Sequence, residues 1–119
     1  MALKTYRELD AWKLSTEFVV SIYQLTSTWP TKHRFGLASQ NERASVSIPA
    51  NIAEGYGRLH RGDYVHHLSI AIGSLAEVET LLHIAVKLDL IDRERGLTLW
   101  SKLQSIGKLL RGLIRSLKK

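Results

Sequence analysis

Phe35-Gly36-Leu37-Ala38-Ser39-Gln40-Asn41-Glu42-Arg43-Ala44-Ser45-Val46-Ser47-Ile48-Pro49-Ala50-Asn51-Ile52-Ala53-Glu54-Gly55 decides how this chain is read. Leu37, Ala44, Ile48 and Ile52 recur at helical spacing and make a modest apolar face. Gln40, Ser47, Asn51, Glu54 and Arg58 make a second line, spaced seven, four, three and four. Such a polar line either lies on solvent or is buried and fully hydrogen-bonded, fixing the register of two helices. Pro49 interrupts the pattern chemically, because proline removes one helical hydrogen bond. The line continues in phase across it. A continuous helix kinked at Pro49 is therefore expected, with the Ser45 and Ser47 hydroxyls helping to satisfy freed backbone groups.

The flanking segments are helical too. Leu14, Phe18, Ile22 and Leu25 share one face of a first helix over roughly Thr5 to Thr28, widened by Trp12 and Tyr23. Trp29-Pro30 ends it. The glycines around Gly55–Gly62 mark a second break and Leu88–Asp92 a third. Between them Leu68, Ala71, Leu75, Val78, Leu82 and Ala85 alternate threes and fours, with Asp63 expected as N-cap. After Asp92, a second expected N-cap, comes Leu99, Leu103, Ile106, Leu110, Leu113 and Leu117. These near-heptad seams predict one all-α domain over 1–119, an up-down antiparallel four-helix bundle.

Composition agrees. The 119 residues are 45% hydrophobic, with two prolines and no cysteine. This provides for a core and excludes a disulfide framework or a thiolate metal site. The N-terminus lacks the apolar core of a signal peptide, and no uninterrupted apolar run approaches the roughly 18 residues of a membrane span. A cytoplasmic protein without a membrane segment is the expectation.

The net charge is +6, and its distribution says more than its size. Residues 102–119 hold Lys102, Lys108, Arg111, Arg115, Lys118 and Lys119 and no acid, so the rest of the chain is formally neutral. Lys108, Arg111, Arg115 and Lys118 form one stripe beside the leucine seam. It can track a phosphate backbone, face an acidic partner, or favour the dipole of the helix end. A second basic cluster, Arg58, His60 and Arg61 beside Tyr56 and Tyr64, can grip single-stranded nucleic acid by charge and stacking.

Catalytic and metal-binding patterns are missing. No Glu-x-x-His pair occurs, and His66 and His67 are adjacent, so they diverge on a helix. Glu79 and His83, four apart, are read as an ordinary helix pair. Gly55-x-Gly57 precedes no strand and lacks a phosphate-loop lysine. Ser74 follows Gly73 without a nucleophile elbow, and Gly73 is expected to permit close helix packing. The reading is a non-enzyme with no catalytic residue, cofactor or metal.

The run Ser47-Ile48-Pro49-Ala50-Asn51-Ile52-Ala53-Glu54-Gly55 resembles the signature of the 23S rRNA intervening-sequence (S23) protein family. Leu9-Asp10-Ala11-Trp12, Gln40, Arg43-Ala44 and Ile70–Thr80 are similar to its other motifs. The resemblance implies an up-down four-helix bundle. It also brings in a similar accessory protein of diversity-generating retroelements, a pentameric barrel that binds nucleic acid and a reverse transcriptase. By that likeness a homo-pentamer is expected here, with Gln40, Ser47, Pro49, Asn51, Glu54, Gly73 and Glu77 serving architecture or assembly. The functional expectation is nucleic-acid binding through Lys108, Arg111, Arg115, Lys118, Arg58 and Arg61. The alternative is an adaptor that holds an acidic partner protein.

Overall fold

A computed structural model describes residues 5–118. Four helices account for most of them: α1 (Asp10–Thr26), α2 (Ser39–Tyr56), α3 (Arg61–Lys87) and α4 (Arg93–Leu117). Sequence neighbours pack against one another, α2 against α3 most extensively, and α1 against α4 closes the ring. The bundle measures 45 × 25 × 20 Å, its length matching the ~40 Å of a 27-residue helix at 1.5 Å per residue. This is the expected antiparallel arrangement, with Phe18, Ile22, Ile48, Ile52, Leu68, Val78, Leu99, Leu103, Ile106 and Leu110 at its centre.

The first helix is shorter than its periodicity suggests. A single 3-10 turn, Tyr6–Glu8, precedes it, and Leu9 is extended (φ −73°, ψ 128°). The buried face of α1 is Ala11, Ser15, Phe18, Ile22 and Thr26. Leu14 lies off that face, 39% exposed, and Tyr23 is also exposed. Two small polar residues, Ser15 and Thr26, hold positions the apolar reading gave to larger neighbours. Ser15 bonds back to the Trp12 carbonyl at 3.2 Å and Thr26 donates to Glu42 of α2 at 2.6 Å, so neither hydroxyl is buried unsatisfied.

The third helix begins at Arg61, capped by the extended backbone of His60. Asp63 therefore sits in the first turn and is not the N-cap; its charge still suits the helix dipole there. All six residues of the expected α3 seam are buried, with Leu81 added. Asp92 caps α4 as expected, accepting from the Arg95 amide at 2.7 Å. Asp89 turns the chain between α3 and α4 in a left-handed conformation, φ +58°.

Helix α2 runs unbroken through Pro49, which is buried. The backbone irregularity lies upstream. Arg34–Ala38 is a π-helical turn in which Gly36 leaves helical geometry (φ −120°, ψ −109°). The serines do not share the expected task. Ser45 bonds the Glu42 carbonyl at 2.9 Å, whereas the Ser47 hydroxyl is engaged by other side chains.

Among the described residues α3 is long and apolar enough, by length and composition, to cross a membrane. The sequence reading missed this because Glu77, Glu79 and the histidines interrupt the run. Packing by α2 on one side and α4 on the other accounts for the buried seam of α3, which is 33% of its most apolar 18-residue window.

Candidate functional site

The polar line on α2 is an interhelical network over its middle. Ser74 Oγ of α3 donates to Ser47 Oγ at 2.8 Å. Asn51 Nδ2 donates to Ser47 Oγ at 3.0 Å and to the Ser47 carbonyl at 2.9 Å. Asn51 Oδ1 accepts from His67 Nδ1 of α3 at 2.9 Å, which sets the histidine tautomer. Beyond it, Glu54 and Arg58 form an exposed ion pair at 2.9 Å. Gln40, at the other end of the line, is exposed.

Gly55 completes this contact. A Cβ there would lie 2.8 Å from His67 Cβ and 3.2 Å from the Tyr64 carbonyl, so α3 could not approach as it does. Gly73, expected to serve that purpose, is exposed, and a Cβ on it would meet nothing within 4 Å. The close-packing glycines elsewhere are Gly96, against Val86, and Gly107, beside Leu75. Glu77 is exposed as well.

Most of the signature thus has a physical reading. Ile48, Pro49, Ile52 and Gly55 face inward, Ser47 and Asn51 turn sideways to α3, and Glu54 holds Arg58. Sequence reasoning missed the α3 partners. His67 and Ser74 are seven apart and so share a face of α3, antiparallel to Ser47 and Asn51. That spacing was the available signal.

A second polar cluster was also missed. Glu42, buried in α2, accepts from Thr26 Oγ1 at 2.6 Å and is paired with Arg34 from the π-helical turn. The Arg34 hydrogen bond holds the Glu42 carboxyl below its usual range, outweighing burial, with Thr26 adding to the effect. Arg34 is correspondingly raised by the same bond. No helical spacing joins residues 26, 34 and 42 across a turn, so only the fold brings them together.

The basic residues stand differently. Lys108, Arg111, Arg115 and Lys118 are all exposed along one edge of α4; Lys119 lies outside the described residues. The Arg111 guanidinium lies back over Gly107, where a Cβ would come within 2.9 Å of it. Antiparallel topology carries the second cluster to the same end of the bundle. Tyr6, Tyr56 and Tyr64 meet there, with ring centroids 6.4 and 6.0 Å apart. Leu9 to Ala11 share a groove there with residues 108–113 of α4. Arg58 and Arg61 are exposed on the α2–α3 turn at this end, although Glu54 offsets the charge of Arg58.

Glu79, proposed from sequence to meet His83, accepts instead from Gln104 Nε2 of α4 at 2.6 Å. Glu79 and His83 line a groove of about 360 Å³ between α3 and α4, with Leu97 and Trp100 half exposed on its wall. Among the described residues no three His, Asp or Glu side chains gather as a metal site.

Residues 7–112 match the 23S rRNA-intervening sequence protein family. The chain belongs to this family. A solved relative shares the bundle: the 1.70 Å crystal structure of a protein of unknown function from the S23 ribosomal protein family of Bacteroides thetaiotaomicron VPI-5482 superposes with a TM-score of 0.82. That protein is 29% identical, and the alignment covers 88% of this chain and 95% of the other. No functionally curated protein matches. Neither the family nor this neighbour indicates an enzymatic activity.

Proposed function

We propose that this S23-family bundle is a non-enzymatic, oligomeric protein that binds nucleic acid through the basic edge of α4. The observation that carries the reading is the exposed stripe Lys108, Arg111, Arg115 and Lys118, in a stretch without one acidic residue. Arg58 and Arg61 extend it from the α2–α3 turn at the same end. Long cationic side chains in that arrangement suit a phosphate backbone and carry no base-reading pattern, so shape and charge govern binding.

Assembly would multiply these weak contacts by avidity. Phe35 and Leu59 support it, being 94% and 95% exposed at opposite ends of α2. Large apolar side chains so fully in water are natural contacts for another protein surface. Five copies in a ring is the assembly proposed from the family resemblance.

Two measurements test the reading. Binding to structured RNA and DNA across a salt series should weaken steeply as salt rises. A flat response, or no binding near physiological salt, overturns it. Light scattering at micromolar concentration should give a multiple of the chain mass, and a monomer mass refutes assembly. The second reading, an adaptor, is favoured by the α3–α4 groove with Leu97 and Trp100 on its wall. A stoichiometric protein that co-purifies and survives nuclease would select it.

A further inference from the structure

The single chain leaves apolar surface open along the groove between α3 and α4. Leu82 and Leu103 close its floor, and Leu97 and Trp100 stand 55% and 50% exposed on its wall. Helix α3 is short of cover more generally, since only 33% of its most apolar 18-residue window is buried. Contiguous apolar surface of this kind marks a contact with another macromolecule.

The charges along the groove say which one. Arg93, Leu97, Trp100 and Gln104 follow at four, three and four residues and so share one face of α4. Gln104 Nε2 donates to Glu79 Oε2, which fixes the acid at one end of the groove. Arg93 lines the other end. Eleven residues of α4 separate Arg93 from Gln104, about 16 Å at 1.5 Å per residue. That is too far for Arg93 and Glu79 to pair within one chain. Among the described residues Arg93 forms no ion pair.

We infer that this face binds a second copy of the chain across a two-fold axis. An axis crossing the groove at right angles sets two grooves antiparallel, and the contact is then isologous. The spacing four, three, four reads the same in both directions. Antiparallel alignment therefore brings Arg93 to the partner's Glu79 and Leu97 to the partner's Trp100, and the same pairs form again on the other side of the axis. Each groove end receives the charge it lacks, and the half-exposed apolar pair is covered. Tryptophan and arginine are the residues that most often anchor interfaces. The α4 stripe runs on past Gln104, so Arg111, Arg115 and Lys118 of each copy stay open to nucleic acid. The overlap is short, at the small end of stable interfaces, about 1,200 Å² in total. Micromolar association is expected. The inference rests on the oligomeric reading above and adds a two-fold contact to it, so an even number of chains follows.

Sedimentation of the full chain over a micromolar concentration series is the test. R93E should weaken association roughly tenfold or more, and Trp100→Ala should do the same, with circular dichroism unchanged in both. E79R should also dissociate the pair, and E79R/R93E together should restore it. Failure of that rescue, in a double variant that keeps its helical spectrum, overturns the pairing. Arg95→Glu, off this face of α4, should keep the wild-type mass, and dissociation there overturns the assignment. A monomer mass for the unaltered chain overturns this contact and the oligomeric reading together. A five-chain mass unmoved by R93E and Trp100→Ala overturns this contact alone and leaves the ring. A monomer that sediments with phosphatidylcholine vesicles, or holds a stoichiometric foreign protein, and loses either with Trp100→Ala, overturns the second copy as the occupant.

Discussion

Two polar stripes run along this bundle, and they end in opposite circumstances. The stripe on α2 is built from short, uncharged groups over its middle, Ser47 and Asn51, and α3 answers each of them with Ser74 and His67. The stripe on α4 is built from long cations, Lys108, Arg111, Arg115 and Lys118, and it remains on the surface. Helical spacing alone makes the two look alike. Side-chain reach and the chemistry of the neighbouring helix separate them: a hydroxyl or amide can be satisfied by one partner at 3 Å, whereas a buried cation would need an acid beside it.

The largest effect expected from this contrast is on binding. K108E/R111E/R115E should abolish the nucleic-acid affinity proposed for α4, lowering the log–log salt slope by about three, one per lost phosphate contact. Chemical denaturation should show folding stability nearly unmoved, because exposed charges contribute little. A large loss of stability would mean that the outer stripe is structural too.

Next comes the inner side. Glu42→Gln should cost about 1.5–3 kcal/mol in urea titration at neutral pH, since it removes charge-assisted bonds from a buried site. Its pH signature has a definite sign. The Glu42 carboxyl is lowered in the folded state by Arg34 and Thr26. Its contribution is therefore fully present above the unfolded carboxyl pKa of about 4.3 and is lost as pH falls through the folded value. The variant should show a flatter acid limb than the parent.

Gly55→Ala should cost about 1–3 kcal/mol, because its Cβ would strike His67 Cβ, which sits next to the α3 backbone and cannot swing away. Gly73→Ala gives the smallest effect and the opposite sign. It has open space around it, so gained helix propensity should stabilise by up to about 1 kcal/mol. Thermal melts of the two variants side by side decide whether α2–α3 packing is as selective as the geometry indicates.

Much of the fold was legible in the residues. The α3 seam and the Asp92 cap were placed correctly because period and cap chemistry are local. Leu14 and the Asp63 cap were misplaced because the phase of α1 and the start of α3 depend on tertiary contact. The α2 polar line could be seen but not assigned, since its partners lie 16 and 27 residues away. Gly73 was preferred over Gly55 for close packing because a glycine's neighbours across an interface leave no mark on spacing. The Thr26–Arg34–Glu42 cluster was invisible for a related reason: the π-helical turn that delivers Arg34 breaks the periodicity that would have linked the three.

The ties between α2 and α3 bear on the order in which the bundle forms. The Asn51–His67 and Ser47–Ser74 bonds close loops of modest length within one helical hairpin, and short loops cost the chain less entropy to close than the α1–α4 contact does. The Thr26–Glu42 bond of α1 and α2 and the Glu79–Gln104 bond of α3 and α4 close loops just as short, so contacts between sequential helices are expected to form before α1 meets α4 and closes the ring.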